Sequence, residues 1–277
     1  MSTTAASGLL RVAAAQAESV AGDVTANVET AVSLVRDAAA RGARVVVLPE
    51  LFLTGYARAA WTLEHTVTPD DERLGPLSAA ATEHRLVVVA GAAVRRADDW
   101  ATLSLVVLDD VGGVTAPYDK QHLFDQERAF FTPGDHGASL HVDGWDLGLG
   151  VCYDGCFPEH AAAAAADGAG AYLCPSAYFV GSEHRRDLYY AARALDNGIY
   201  VAFSGLTGQC GEWEFNGGSA VYDPEGRAVA RVDEASPALV VADLDPAEVA
   251  RVQQLNPIAR DRLPDLGTRT RLVLGSR

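Results

Sequence analysis

The chain is short of cations, thiols and long apolar runs. Lysine and arginine number 22 against 37 aspartates and glutamates, a formal charge of −15. Nucleic-acid partners are gripped by clustered Lys and Arg, and the sequence holds no such cluster. The charge therefore argues against nucleic acid, and also against an anionic membrane surface. No apolar stretch approaches the roughly 20 residues of a membrane span. Met1 to Gly8 lacks the basic start and apolar core of a secretion signal and is expected to be a frayed tail. Four cysteines occur: Cys152, Cys156, Cys174 and Cys210. With no such signal they are expected to be reduced thiols in a cytoplasm. Cys152 and Cys156 are the only close pair, and no His or Cys motif completes a four-ligand zinc set, so no metal is expected.

What is present is enough for a large core. The 277 residues are 49% apolar, which fits one large domain or two small ones and excludes wholesale disorder. No linker divides the chain and no fixed-period repeat appears, so residues 9–256 are read as one unit. Leu9 to Ala15 reads as a strand. Asp23 can cap a helix to about Arg41, with Val28, Ala31, Val32 and Val35 on one face and Gly42 at its end. Arg44 to Leu48 is a second strand, apolar enough to be covered on both faces. Gly75–Arg85 reads as a helix, followed by strands over Leu86–Val94, Leu103–Leu108 and Val114–Tyr118. The second half repeats strand, helix and strand: Trp145–Val151, Glu159–Ala166, Ala171–Cys174, Arg185–Asn197 and Ile199–Ser204. The halves are expected to face each other as two layers. The strand and turn over 217–226 lead to Ala228–Val232 and Ala238–Ala242, which are expected to complete a meander. Asp245 and Pro246 open a last helix. The polar stretch 257–277 is expected to be a tail that needs a partner surface.

The organising stretch is Gly148 to Glu159. A short strand ends at Cys152, a tight turn with Gly155 follows, and Pro158 opens a helix. Such a turn presents the sulfur at the open end of a sheet, with a helix N-terminus behind it that favours an anion. A buried structural cysteine is the equal alternative from these residues alone. Glu50 follows a parallel strand at its carboxyl end, where open sheets keep their active sites. Its neighbours Pro49, Leu51 and Phe52 predict partial burial and a raised pKa. From its own window Lys120 reads as a solvated lysine, and His122 as a structural hydrogen-bonder. The run Phe130 to Asp135 reads as a turn packing aromatics beneath a pocket. Together, a carboxylate, an ammonium and a thiol supply a base, an oxyanion partner and a nucleophile.

Three blocks carry a resemblance. Leu48-Pro49-Glu50-Leu51-Phe52, then Tyr118-Asp119-Lys120-Gln121-His122-Leu123-Phe124, then Gly150-Val151-Cys152-Tyr153-Asp154 with Phe157-Pro158-Glu159 resemble, in order and spacing, the signature blocks of the nitrilase superfamily of carbon–nitrogen hydrolases. The resemblance spans Leu9 to about Leu255. It implies an α/β fold, a four-layer α-β-β-α sandwich with two mixed sheets. It implies Cys152 as nucleophile, Glu50 as general base, Lys120 as stabiliser of the tetrahedral intermediate and the Tyr153 N–H as second oxyanion donor. Glu127 is the candidate for an auxiliary pocket glutamate, and no cofactor is implied. Homodimers or larger homo-oligomers with crossing C-terminal tails are implied as well.

Cys152-Tyr153-Asp154 is similar to the amidase-like branch. Gly155 and Cys156 stand where the carbamoyl-amino-acid branch places arginines and where many amidases carry one. Arg185 and Arg186 are expected on a solvated helix face, with binding of an acidic group by either as the alternative. Tyr56, Tyr178 and Phe179 are expected either in the pocket or in the core. The resemblance thus implies hydrolysis of a small-molecule amide to acid and ammonia or amine through a cysteine thioester. The alternatives are nitrile or N-carbamoyl amide hydrolysis, acyl transfer to an amine, and a non-catalytic binding or scaffold member.

Overall fold

The computed structural model describes residues 8–97 and 100–275, so the expected N-terminal tail, apart from Gly8, lies outside the described residues. In chain order the elements are β1 (Leu10–Gln16), α1 (Val24–Ala40), β2 (Val45–Val47), α2 (Gly75–His84), β3 (Val87–Ala97), β4 (Trp100–Leu108), β5 (Val114–Asp119), β6 (Ser139–Val142), β7 (Trp145–Leu149), α3 (Pro158–Ala166), β8 (Ala171–Ser176), α4 (Glu183–Asn197), β9 (Tyr200–Gly205), β10 (Thr207–Cys210), β11 (Trp213–Asn216), β12 (Ala220–Tyr222), β13 (Ala228–Arg231), β14 (Ala238–Leu244), α5 (Pro246–Leu255) and α6 (Ile258–Asp261). Local chemistry sets several ends. Asp23 accepts a hydrogen bond from the Ala26 N–H at the start of α1, and Asp245 does the same for Ala247 at α5. Gly198 closes α4 in the left-handed region, at φ 61°.

Two six-stranded mixed sheets carry the fold, in the orders β14-β1-β2-β3-β4-β5 and β13-β12-β9-β8-β7-β6. Each has three parallel strands at its centre, β1-β2-β3 in one and β7-β8-β9 in the other. Strands β2, β8 and β9 are buried along their whole length, as strands covered on both faces must be. Helices α1 and α2 cover the first sheet, and α3 and α4 cover the second. The inner faces meet at β1 and β9, where Ser204 Oγ donates to the Ala15 carbonyl over 2.6 Å. The result is four layers, α-β-β-α.

One expectation about topology is corrected. The strand from Ala238 does not extend a meander with β13. It crosses to the other sheet and runs antiparallel to β1, from Leu10↔Leu244 to Gln16↔Ala238. The Gln16 side chain holds the crossing by donating to the Glu234 and Ser236 carbonyls. A short polar loop between two short strands favours a hairpin on local grounds, and only the unpaired edge of β1 makes the crossing the better match.

Candidate functional site

The loops at the carboxyl ends of β2 and β7 and the segment after β5 converge between the sheets. Glu50 stands on the first. Leu51 beside it adopts φ 50°, and the Gly55 N–H closes the turn onto the Leu51 carbonyl at 2.6 Å. This turn lies against Gly91 of β3, whose N–H donates to the Pro49 carbonyl. A Cβ on Gly91 would stand 2.4 Å from Leu51 N and 2.5 Å from Pro49 O, so only glycine admits the loop.

Lys120 follows β5 and is fully buried, contrary to the solvated reading of its own window. It is the only lysine of the chain. Its Nζ donates to Glu50 Oε1 at 2.6 Å and to Glu127 Oε1 and Oε2 at 2.9 and 2.8 Å. Glu127 sits in a short 3₁₀ turn, Asp125–Ala129, that opens with Asp125 at φ 39°. It also accepts from the Tyr56 hydroxyl at 2.6 Å and from the Phe124 N–H at 2.8 Å.

Cys152 opens another 3₁₀ turn, Cys152–Cys156, at φ 44°. Three of the five described non-glycine residues at positive φ therefore adjoin this site, in conformations that cost of order 1–3 kcal/mol each and persist only where the surroundings enforce them. For Cys152 the enforcer is Asp154. Its Oδ2 accepts from the Val151 N–H and the Tyr118 hydroxyl, and its Oδ1 from the His122 N–H, with His122 Nδ1 at 2.9 Å. One buried carboxylate thus ties the cysteine turn to the segment carrying Lys120. His160 completes the network through the hydroxyls of Tyr118 and Tyr172. Among the described residues, His122, Asp154 and His160 form the one group with a metal-like arrangement, and hydrogen bonds already occupy it.

A cavity of about 130 Å³ opens beside the sulfur. Tyr56, Tyr178 and Phe179 line it, as do Cys156, Tyr153 and Arg185. Cys156 Sγ lies 3.3 Å from the Tyr178 hydroxyl. Arg185 is exposed at the mouth, but Arg186 is buried and donates to the carbonyls of Asn216 and Gly217, so it is not on a solvated face. Phe130 and Phe131 pack edge-on against Trp61, which in turn packs against Tyr56.

Burial raises the Glu50 carboxyl to about 7, Lys120 opposing and Glu127 adding to the rise. The Cys152 thiol is pushed well up by burial and by the Glu50 charge. Burial works against the Lys120 ammonium, but Glu127 and Glu50 outweigh it and keep the proton on. Burial also opposes the Asp154 charge, yet its bonds from His122 and Tyr118 and the nearness of His160 hold the carboxyl low. Glu50 Oε2 is buried and has no hydrogen-bond partner among the described residues. The Cys152 thiol donates to the Ala177 carbonyl over 4.0 Å, yet lies close enough to the Glu50 carboxylate to lower its pKa. The arrangement can accept a proton from sulfur, keep an ammonium beside the reacting carbon, and shield both from water.

Sequence reasoning passed over Asp154, although an aspartate two residues into a turn is an ordinary binder of its own backbone. It also passed over Tyr190, which carries no local signal.

Residues 11–254 match the family model for carbon–nitrogen hydrolases. The human omega-amidase NIT2 is 31% identical over 252 residues, covering 87% of this chain and 90% of that protein. A hydrolase encoded in the pqqF 5′ region of Pseudomonas protegens is 32% identical over 235 residues, covering 82% and 80%. An amidase from Nesterenkonia sp. AN1, solved with the acetamide moiety of fluoroacetamide added to its active site cysteine, superposes with a TM-score of 0.80 at 29% identity, over 91% of this chain and 93% of that one. On these matches and this fold, the chain belongs to the carbon–nitrogen hydrolase family, in the amidase-like branch of the nitrilase superfamily.

Proposed function

We propose that this carbon–nitrogen hydrolase cleaves a small-molecule amide through a thioester on Cys152. Glu50 takes the thiol proton as sulfur attacks the amide carbon. Lys120 and the Tyr153 N–H hold the oxyanion, and Glu127 keeps the ammonium aimed. Collapse breaks the C–N bond, and the leaving amine takes the proton from Glu50. Water then gives a proton to Glu50 and attacks the thioester, releasing the acid and restoring the thiol.

The observation that carries this reading is the buried Glu50 carboxylate, its Oε1 held by Lys120 and its Oε2 unpartnered among the described residues, close enough to Cys152 for the thiol to affect its ionisation. The cavity supports a small substrate, since about 130 Å³ lies below the roughly 300–1,000 Å³ of most ligand pockets. The test is ammonia release from a panel of aliphatic amides, nitriles and carbamoyl compounds by the parent and Cys152→Ala. Hydrolysis of amides by the parent alone is expected; turnover surviving in Cys152→Ala refutes the assignment.

Residues 9–256 act as one hydrolase unit in this reading, and residues 257–277 dock on a second copy. Support comes from Leu263, Leu266, Leu272, Val273 and Leu274, all exposed along that stretch. Sedimentation of the full chain against one ending at Asn256 tests it, with loss of the dimer expected on truncation. No helix of the described residues is long and apolar enough to cross a membrane. The four free thiols support a cytoplasmic site of action.

A further inference from the structure

We infer that Tyr190 is a positioning residue that fixes the direction of the Tyr153 N–H and so completes the oxyanion site. This rests on the reading of that N–H as an oxyanion donor. Tyr190 lies on α4, is fully buried, and its hydroxyl donates to the Cys152 carbonyl over 3.0 Å. That carbonyl and the Tyr153 N–H belong to one peptide unit. The described chain has no cis peptide bonds. In a planar trans unit the C=O and N–H point in opposite directions. Holding the carbonyl toward α4 therefore turns the N–H away from α4. Tyr153 and Cys152 both line the cavity, and the Tyr153 N–H meets no acceptor among the described residues.

The grip is needed because the elbow is strained. Cys152 at φ 44° occupies the left-handed region, which costs a residue with a side chain roughly 1–2 kcal/mol. Rotation of the next peptide is a ready way to relax it. A net hydrogen bond of about 0.5–1.5 kcal/mol opposes that rotation only if its donor cannot follow. Tyr190 cannot. Its ring lies 4.5 Å from that of Phe203. Ser176 Oγ stands 2.8 Å from its oxygen. A Cβ on Gly155 would fall 2.7 Å from Tyr190 Cε1, so the turn itself is shaped around the ring.

The test is Tyr190→Phe, which removes the oxygen and keeps the ring. Two reactions of Cys152 are compared: amide hydrolysis, and alkylation by iodoacetamide followed by peptide mass spectrometry. Displacement at a saturated carbon develops no oxyanion, whereas attack on an amide does. The expected result is a fall in kcat of about tenfold or more, toward the 10²–10³ of a lost oxyanion donor. KM and the alkylation rate should stay within about twofold of the parent. Ser176→Ala should show a smaller loss of the same kind, and serves if the first variant does not fold. Unchanged kcat in both variants overturns the inference, and so does an alkylation rate that falls in step with hydrolysis. Cys152→Ala, assayed alongside, separates the two readings: its loss of turnover keeps the thioester route in place whatever Tyr190→Phe does.

Discussion

Lys120 Nζ donates to Glu50 Oε1 over 2.6 Å, and neither side chain meets solvent. Glu127 takes the same ammonium at 2.8 Å. One cation is thus shared between two buried carboxylates. With both ionised, the cluster carries one uncompensated negative charge in a dry site. Buried ion pairs contribute little net stability, but a buried charge left over is costly. The sharing fits the proton exchange that the proposed cycle asks of Glu50.

The pH dependence follows from that. In the proposed cycle Glu50 takes the thiol proton only when ionised, and its carboxyl is raised to about 7. Hydrolysis, as kcat/KM, should fall about tenfold per pH unit below that value. A pH profile of ammonia release checks it. A flat profile between about pH 5 and 8 would contradict the role given to Glu50.

Stability should move with pH in the opposite sense. The folded carboxyl titrates at about 7, against an ordinary 4.5. Between those values the folded chain keeps a proton that the unfolded chain has lost. Stability from this group is therefore present below about pH 4.5 and is lost as the pH rises through 7. Glu50→Gln removes the charge. It should gain stability over the parent at pH 8, on the order of 3 kcal/mol, and gain nothing from this source at pH 4. Denaturant melts at both pH values measure this. Hydrolysis by the variant should be lost throughout.

Lys120 is both the only lysine and fully buried. An amine-reactive acetylating reagent should therefore leave it unmodified in the native protein and label it only after denaturation. Intact-mass and peptide mass spectrometry read the outcome, and native labelling at Lys120 would refute its burial. Lys120→Met should destabilise by about 3–5 kcal/mol, because Glu50 and Glu127 would lose their cation.

Gly91 is a further test, because a Cβ there would press on the backbone of Glu50, 2.6 Å from its Cα. A Cβ there meets the backbone of Leu51 and Pro49, which cannot swing aside as a side chain does. Gly91→Ala should cost about 1–3 kcal/mol of stability. It should also lower kcat by displacing Glu50. A variant that matches the parent in both melting and turnover would show that the loop has room to yield.

Much of this molecule was legible in its residues. Asp23, Gly42, Gly198 and Pro246 mark helix ends by their own chemistry, and the run Arg44 to Leu48 announces a strand covered on both faces. The strand, turn and helix around Cys152 are local as well, since Gly155 and Pro158 dictate them within a few residues. Other decisions belong to the tertiary structure. The window around Lys120 is polar, and nothing in it says buried; its burial depends on Glu50, 70 residues away, and on a turn that brings Glu127 back. The crossing of β14 is set by the open edge of β1, which lies at the other end of the chain. Asp154 and Tyr190 gain their importance from the loops and carbonyls that packing sets in front of them. Propensity and capping act over a few residues and are written in order along the chain. Burial, charge sharing and the aim of a peptide group depend on partners that only the folded sheets bring together.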